Sequence, residues 1–337
     1  FDLHVIFERK SESNRNKSFY FEQKYNFTEH KIKGLPLGKE GFLSSGVKRH
    51  IKENKYDLII MNGYSHLAEM KAIRYMKHQN IPFALYVNGG IIPKKELKLK
   101  KHIKTKYISS AKYYFSPDSE SNNYLAYYGA NKENILSYPY STVFEKEIVT
   151  EKPNKEELRK KLNLHFDHLF VSAGQLIKRK NYFSLVKEWK NYPENYGLVI
   201  MGDGAEKAKI ENFIQENHMK NVILTGFLER KNMFDYMKAG DIFLFPSNED
   251  IYGHVVNESL SQGLPVISSK HVNSSIKLIT NRDNGFLINK FAGAELKESI
   301  EHCLENDMYE SCVNVAKQNT IEKMAEAHIK MFEEAMK

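Results

Sequence analysis

Strand-length apolar runs alternate with amphipathic stretches along this chain, and that alternation restricts the fold to parallel sheets covered by helices. Asp2–Phe7, Tyr56–Met61, Pro82–Val87 and Tyr113–Ser116 read as strands, with helices at Leu43–Asn54, Ser65–Gln79 and Ser119–Tyr128. The theme repeats in the second half. Strands are predicted at Leu169–Ala173, Tyr196–Met201, Val222–Thr225, Ile242–Phe245, Pro265–Ser268 and Gly285–Ile288. Helices fall at Tyr182–Lys190, Glu206–Asn217, Lys231–Lys238 and Val255–Gln262, and long helices fill the remainder. A boundary is expected between Pro139 and Pro153, where Tyr138-Pro139-Tyr140-Ser141-Thr142 gives way to the charged run Glu145–Lys160. Two doubly wound halves joined there would face a cleft at the carboxyl ends of their strands. The chain opens at Phe1 directly into a strand, so an earlier strand–helix unit is expected to precede it.

At 337 residues the chain exceeds what one core usually organises. Its 41% hydrophobic and 27% charged residues exclude a disordered chain. No apolar run approaches the ~18–20 residues of a membrane-spanning helix, and no segment has the pattern of a secretory signal. Cys303 and Cys312, in a helical and polar region, exclude a disulfide framework. The expectation is a soluble, cytoplasmic protein. Its formal charge of +8 suits an anionic partner. Nucleic acid is the poorest candidate, because RNP-type aromatics, zinc-finger spacing and basic-region heptads are all missing.

Chemistry concentrates between Phe245 and Ser269. A strand ends at Phe245, an acidic loop follows, and Gly253 lets the backbone approach a ligand before a helix begins. Free N–H groups of His254, Val255 and Val256 at that helix start would attract an anion. Asp250 lies before this point and Glu258 one turn beyond it. Carboxylates on either side of an anion site suit a ligand with hydroxyls at both ends and phosphates between, as in a nucleotide sugar.

This segment resembles the acid-x7-Glu motif of retaining glycosyltransferase family 4, whose members have the GT-B fold. The likeness continues through Gly174–Asn181, Val199–Glu206, Leu224–Phe227, Gly240–Glu258, Gly263–Ile267 and Asn284–Ile288, which occur in the family's order. It implies an α/β chain of two Rossmann-like doubly wound domains facing a central cleft. Residues 1–145 would bind the acceptor, residues 146–318 the nucleotide-sugar donor, and residues 319–337 would form a helix crossing back to the first domain. By the same resemblance Glu258 binds the ribose hydroxyls, and Asp250, normally Glu, contacts the donor sugar. Glu249 is the alternative for that sugar contact. Lys180 neutralises the diphosphate, with Gln175 standing where relatives carry arginine and Arg179 or Lys178 available to compensate. Gly202, Gly226 and Phe227 line the nucleoside, and Tyr252 falls in the sugar loop. The implied reaction needs no protein nucleophile, metal or cofactor.

In the first half, Asn62-Gly63-Tyr64-Ser65-His66 and Asn88-Gly89-Gly90 follow successive strands. Relatives often place a histidine near Asn88; here His66 is the nearest candidate for a polar role beside the donor, and Gly89 and Gly90 would admit a sugar or acceptor. Taken singly, Glu258 suits any helix start, Asp250 an ordinary loop, Lys180 a solvated face and His66 a structural role. The ordered motifs are what favour function. The run Lys94–Lys106 carries seven lysines and one acid, with Leu97, Leu99 and Ile103 interspersed. It reads as an exposed basic helix, or as a contact with an anionic membrane at the inner face of the cell membrane. The function expected is transfer of a sugar from a nucleotide-diphosphate donor, UDP form favoured, to a glycan or lipid-diphosphate-linked acceptor. An inactive scaffold of the same fold and a two-domain solute-binding protein are the alternatives.

Overall fold

The computed structural model describes residues 1–7, 26–37, 41–44 and 46–337. These form two compact units: Phe1–Ser116 with Asn122–Ser137 and Lys330–Lys337, and Pro117–Ser121 with Tyr138–Ile329. Among the described residues no helix is long and apolar enough to cross a membrane.

In the first unit β1 (His4–Phe7) pairs in parallel with β2 (Thr28–Lys31), and β3 (Leu35–Leu37) pairs antiparallel with β4 (Gly41–Leu43). Then follow α1 (Gly46–Glu53), β5 (Ile60–Met61), α2 (Leu67–His78), β6 (Ala84–Tyr86), α3 (Lys98–Ile108), β7 (Tyr113–Ser116), α4 (Ser119–Tyr127) and β8 (Ile135–Ser137). Strands β5-β6-β7-β8 make a parallel sheet in that order. Helix α1 starts later than Leu43 because that residue closes a strand pair and the Ser44 hydroxyl accepts the Gly46 amide at 2.9 Å; Ser45 lies outside the described residues. Strands β2, β3, β4 and β8 have no counterpart in the periodicity. They are short, and β2 is mostly exposed, so no apolar run marks them.

The second unit holds α5 (Lys155–Lys161), β9 (His168–Ala173), α6 (Tyr182–Trp189), β10 (Tyr196–Met201), α7 (Lys207–Glu216), β11 (Val222–Gly226) and α8 (Arg230–Ala239). Next come β12 (Ile242–Phe245), α9 (Val255–Ser261), β13 (Val266–Ser269), α10 (Asn273–Leu278) and β14 (Gly285–Ile288). Helices α11 (Gly293–Glu305), α12 (Tyr309–Lys317) and α13 (Ile321–Ala335) complete the chain, α13 ending among the residues of the first unit. Its six strands are all parallel, in the order β11-β10-β9-β12-β13-β14. Every residue of β12 is buried, which explains its unbroken apolar run. Cys303 and Cys312, expected in a polar region, instead lie on the buried faces of α11 and α12, and burial pushes the Cys303 thiol up to about 12.

The charged run read as a linker contains α5, capped by Asn154, whose side chain accepts the Glu157 amide at 3.2 Å. Asp241, at the foot of β12, ties this helix down. It meets Lys155 at 3.0 Å and Arg159 at 2.6 Å, and accepts the Leu169 amide at 2.8 Å. Burial pushes the Asp241 carboxyl up, but Lys155 and Arg159 outweigh it and hold the group below the usual range. Its contribution to stability is therefore present above the ordinary carboxyl pKa and lost as pH falls through the lowered one. Asp241→Asn should lower the unfolding free energy at pH 7 by about 3 kcal/mol, measured by urea denaturation, and the gap to wild type should close in acid.

Candidate functional site

The second unit's sheet reverses its winding between β9 and β12, so the loops leaving these neighbouring strands diverge at the carboxyl edge. Backbone bonds lace the strand ends there. Gly174 N–H donates to Met201 O at 2.9 Å, Leu176 N–H to Asp203 O at 2.9 Å, and Gly202 N–H to Gly226 O at 2.8 Å. At Gly202, φ is +150° and a Cβ would stand 1.9 Å from the Gly174 carbonyl, so only glycine permits this lacing.

Beyond β9 a single 3-10 turn, Lys178–Lys180, presents the basic side chains. Lys180 is 8% exposed, lies 4.6 Å above the Phe245 ring and forms an ion pair with Asp250. Arg179 donates to the Glu249 carbonyl at 3.0 Å and approaches Asp250 at 3.6 Å. Burial pushes the Lys180 ammonium below its usual range, and the Asp250 charge and hydrogen bond oppose that shift. Of the two adjacent acids Asp250 thus reaches Lys180, whereas the Glu249 side chain is exposed. Gln175 is exposed, and its side chain has no hydrogen bond among the described residues.

Gly253 turns the chain into α9 at φ +89°, its carbonyl accepting from the Ser274 hydroxyl at 2.8 Å. The expectation of three free amides at this helix start needs correction. Val256 N–H donates to Gly253 O at 3.1 Å, because the turn at Gly253 curls its carbonyl back over the first helical residues; His254 and Val255 remain. The rings of Tyr140, Tyr252 and His254 pack around this turn in tilted and edge-to-face pairs, with centroids 4.4–5.1 Å apart. The Tyr252 hydroxyl and His254 Nδ1 are buried without a hydrogen-bond partner among the described residues. Burial pushes the His254 imidazolium down, against the pull of Glu258 and Asp250, so the ring is neutral near pH 7.

One turn into α9, Glu258 is 9% exposed. Its Oε1 accepts from the Thr142 hydroxyl at 3.0 Å and from the Arg230 guanidinium. Arg230 also grips Glu147 at 2.8 and 3.1 Å and donates to the Thr142 carbonyl at 2.9 Å. The sequence analysis missed Thr142, Glu147 and Arg230. They stand 116, 111 and 28 residues from Glu258, and no motif joins them. Gly226, at φ +74°, and Phe227, 48% exposed, form the turn that leads from β11 to Arg230.

His66, Asn88, Gly89 and Gly90 belong to the first unit. Glu69 accepts the His66 amide at 3.0 Å, which places His66 at the start of α2. Asn88 is exposed, and Gly89 has φ +138°. A Cβ on buried Gly90 would meet the Tyr124 ring at 2.5 Å, so the close approach admitted there is by a side chain of this chain. Asp250, Glu249 and Tyr252, predicted alongside these four, lie in the second unit.

A buried cation paired with an acid, an open backbone turn and a second buried acid therefore share one sheet edge. Residues 154–322, half of the chain, match the family model for glycosyl transferases group 1, and the chain belongs to that family. The N-acetylgalactosamine-N,N'-diacetylbacillosaminyl-diphospho-undecaprenol 4-alpha-N-acetylgalactosaminyltransferase of Campylobacter jejuni is 28% identical over 142 residues, covering 42% of this chain and 38% of that protein. The O-antigen biosynthesis glycosyltransferase WclY of Escherichia coli is 30% identical over 155 residues, covering 44% and 40%. Matches to such curated relatives span 25% to 54% of the relatives' own lengths. Anabaena Alr3699/HepE in complex with UDP has the same fold, with TM-score 0.75 at 16% identity over 91% of this chain and 86% of that one. The architecture is thus mixed α/β with parallel sheets, of the GT-B type.

Since Asp250 is what opposes the effect of burial on Lys180, Asp250→Asn should move the Lys180 deprotonation to lower pH. That deprotonation, followed by NMR of the Lys180 side chain across the alkaline range, should then occur at a lower pH than in wild type. An unshifted titration would disprove the coupling.

Proposed function

We propose that this chain transfers a sugar from a nucleotide-diphosphate donor, in the UDP form, to a hydroxyl of a glycan or lipid-linked glycan, retaining the anomeric configuration. The observation that carries this reading is the placement of Lys180 and Glu258 on either side of the Gly253 turn, at the switch point of a doubly wound sheet. In this reading the diphosphate lies against Lys180, Arg179, Gly253 and the His254 and Val255 amides, Val256 closing the turn, with Gln175 beside them. Lys180 carries the charge that a bridging metal would otherwise supply. Glu258 takes the ribose hydroxyls, and Gly202, Gly226 and Phe227 line the base. Asp250 and Tyr252 meet the transferred sugar, while Glu249 stays at the loop surface. His66, Asn88 and Gly89 serve the acceptor, Gly90 being packed against Tyr124.

The reaction needs no protein nucleophile. The bond from the anomeric carbon to the phosphate oxygen breaks, and the acceptor oxygen bonds to the same face of that carbon. The acceptor proton passes to the leaving phosphate oxygen. Charge builds on the diphosphate as it departs, where a positioned lysine contributes about 3 kcal/mol, roughly a hundredfold in rate. The relatives named for O-antigen and undecaprenol-linked synthesis and the fold neighbour solved with UDP support a place in surface polysaccharide or glycoconjugate assembly. Family membership leaves the solute-receptor reading without support. The scaffold reading predicts nucleotide binding without turnover.

Helix α3 supports a peripheral contact with an anionic membrane at the cytoplasmic face. Leu97, at its N-cap, and Leu99, in its first turn, are 77% and 72% exposed, among exposed lysines. Lys104 is the exception, turned inward to Glu96 at 2.8 Å and the Tyr128 hydroxyl at 3.0 Å.

In thermal-shift screening a UDP-sugar should stabilise the protein more than GDP- or ADP-sugars do. Glu258→Ala should weaken that donor at least about tenfold; an unaltered affinity refutes the ribose assignment. Product NMR should show the donor's anomeric configuration kept. Vesicles containing phosphatidylglycerol should sediment the wild type but release a variant with Lys94, Lys98 and Lys101 changed to Glu, and equal sedimentation would discard the membrane contact.

A further inference from the structure

The carboxylate of Glu258 is held from one side only. Both donors that reach it, the Thr142 hydroxyl at 3.0 Å and the Arg230 guanidinium, bind Oε1. Oε2 has no hydrogen-bond partner among the described residues. Two donors on one oxygen fix both the position of the group and its rotation, so the direction in which Oε2 points is set by the protein.

Arg230 is itself held on its other edges. Its Nε donates to Glu147 Oε1 at 2.8 Å, and one terminal nitrogen donates to Glu147 Oε2 at 3.1 Å and to the Thr142 carbonyl at 2.9 Å. Glu147 is fixed in turn, because its Oε2 accepts the Phe144 amide at 2.9 Å. A planar, forked guanidinium clamped in this way has no freedom to follow Glu258 elsewhere. Arg230 is also the first residue of α8 and follows the Gly226–Phe227 turn by a few positions. One side chain therefore joins the turn assigned to the base to the acid assigned to the ribose.

We propose that Arg230, oriented by Glu147, is a positioning residue for nucleoside recognition. It fixes Glu258 so that Oε2 is presented to the 2′,3′-diol of a nucleoside diphosphate. This inference rests on the ribose role given to Glu258 above and adds the device that enforces it. A bridge serving only to hold α8 against the segment around Thr142 would act on every ligand alike. A positioning role acts only through the ribose hydroxyls.

The test is calorimetric titration of the whole chain with UDP and with 2′,3′-dideoxy-UDP, which lacks the diol. In wild type the loss of the diol should weaken binding about tenfold or more. Arg230→Met should weaken UDP about tenfold while leaving dideoxy-UDP within about twofold of wild type. The double variant with Glu258→Gln should be no weaker than Glu258→Gln alone, since both remove one interaction. Arg230→Lys, which keeps the charge without the fork, should recover part of the UDP affinity. If Arg230→Met does not fold, Thr142→Val, which removes only the second donor to Oε1, should show the same diol-selective loss on a smaller scale.

Equal weakening of both ligands by Arg230→Met, or additive losses in the double variant, would overturn the proposal and leave Arg230 a structural bridge. If Glu258→Gln weakens UDP but not dideoxy-UDP while the Arg230 and Thr142 variants weaken neither ligand selectively, this inference alone fails. If wild type does not distinguish UDP from dideoxy-UDP, if Glu258→Gln weakens both alike, or if UDP does not bind, the ribose assignment fails and this inference fails with it.

Discussion

A lysine ammonium removed from water needs a fixed anion, and the site is organised around how that need is met. Lys180 is 8% exposed, on a turn leaving β9, and its partner Asp250 comes from the loop leaving β12. The two strands are neighbours only because the sheet reverses its order there. The ion pair links the two loops that diverge at the switch point and holds a positive charge at the strand ends, where an anionic ligand would approach. Without a ligand the Asp250 carboxylate occupies the cation, so an incoming diphosphate would share or displace an internal partner instead of entering an unpaired charge.

The backbone around this pair leaves little room for side chains. The amide-to-carbonyl lacing of Gly174, Leu176 and Gly202 to the ends of β10 and β11 and to Asp203 closes the edge of the sheet by main-chain bonds. A ligand there would meet backbone and a few anchored side chains. Among those side chains, Tyr252 and His254 each bury a polar atom with no partner among the described residues. Such atoms carry a desolvation cost that a bound polar group would relieve. The neutral imidazole of His254 keeps it available as a donor or acceptor without adding charge.

At the other side of the Gly253 turn the arrangement is more rigid. Glu258, Arg230, Glu147 and Thr142 make a chain of charge-assisted bonds in which the guanidinium is shared between two carboxylates. Shared cations of this kind trade some stability for a defined geometry.

The fold class was legible because it depends on local periodicity. Buried strands such as Ile242–Phe245 show as unbroken apolar runs, and the amphipathic stretches between them require helices on both faces. Gly202 was legible as a turn residue because it follows a strand end, and Gly253 because it precedes a helix start. Short or exposed strands such as Thr28–Lys31 were not, having too little buried surface to mark a pattern. The acid-x7-Glu spacing singled out Asp250 and Glu258, but not the side chains that hold them. Only the folded chain decided that Asp250 rather than Glu249 meets Lys180, 70 residues away, and that Arg230 clamps Glu258 together with Glu147, 83 residues from it. Those contacts depend on which loops the crossing of the sheet brings together, and local spacing carries no record of that.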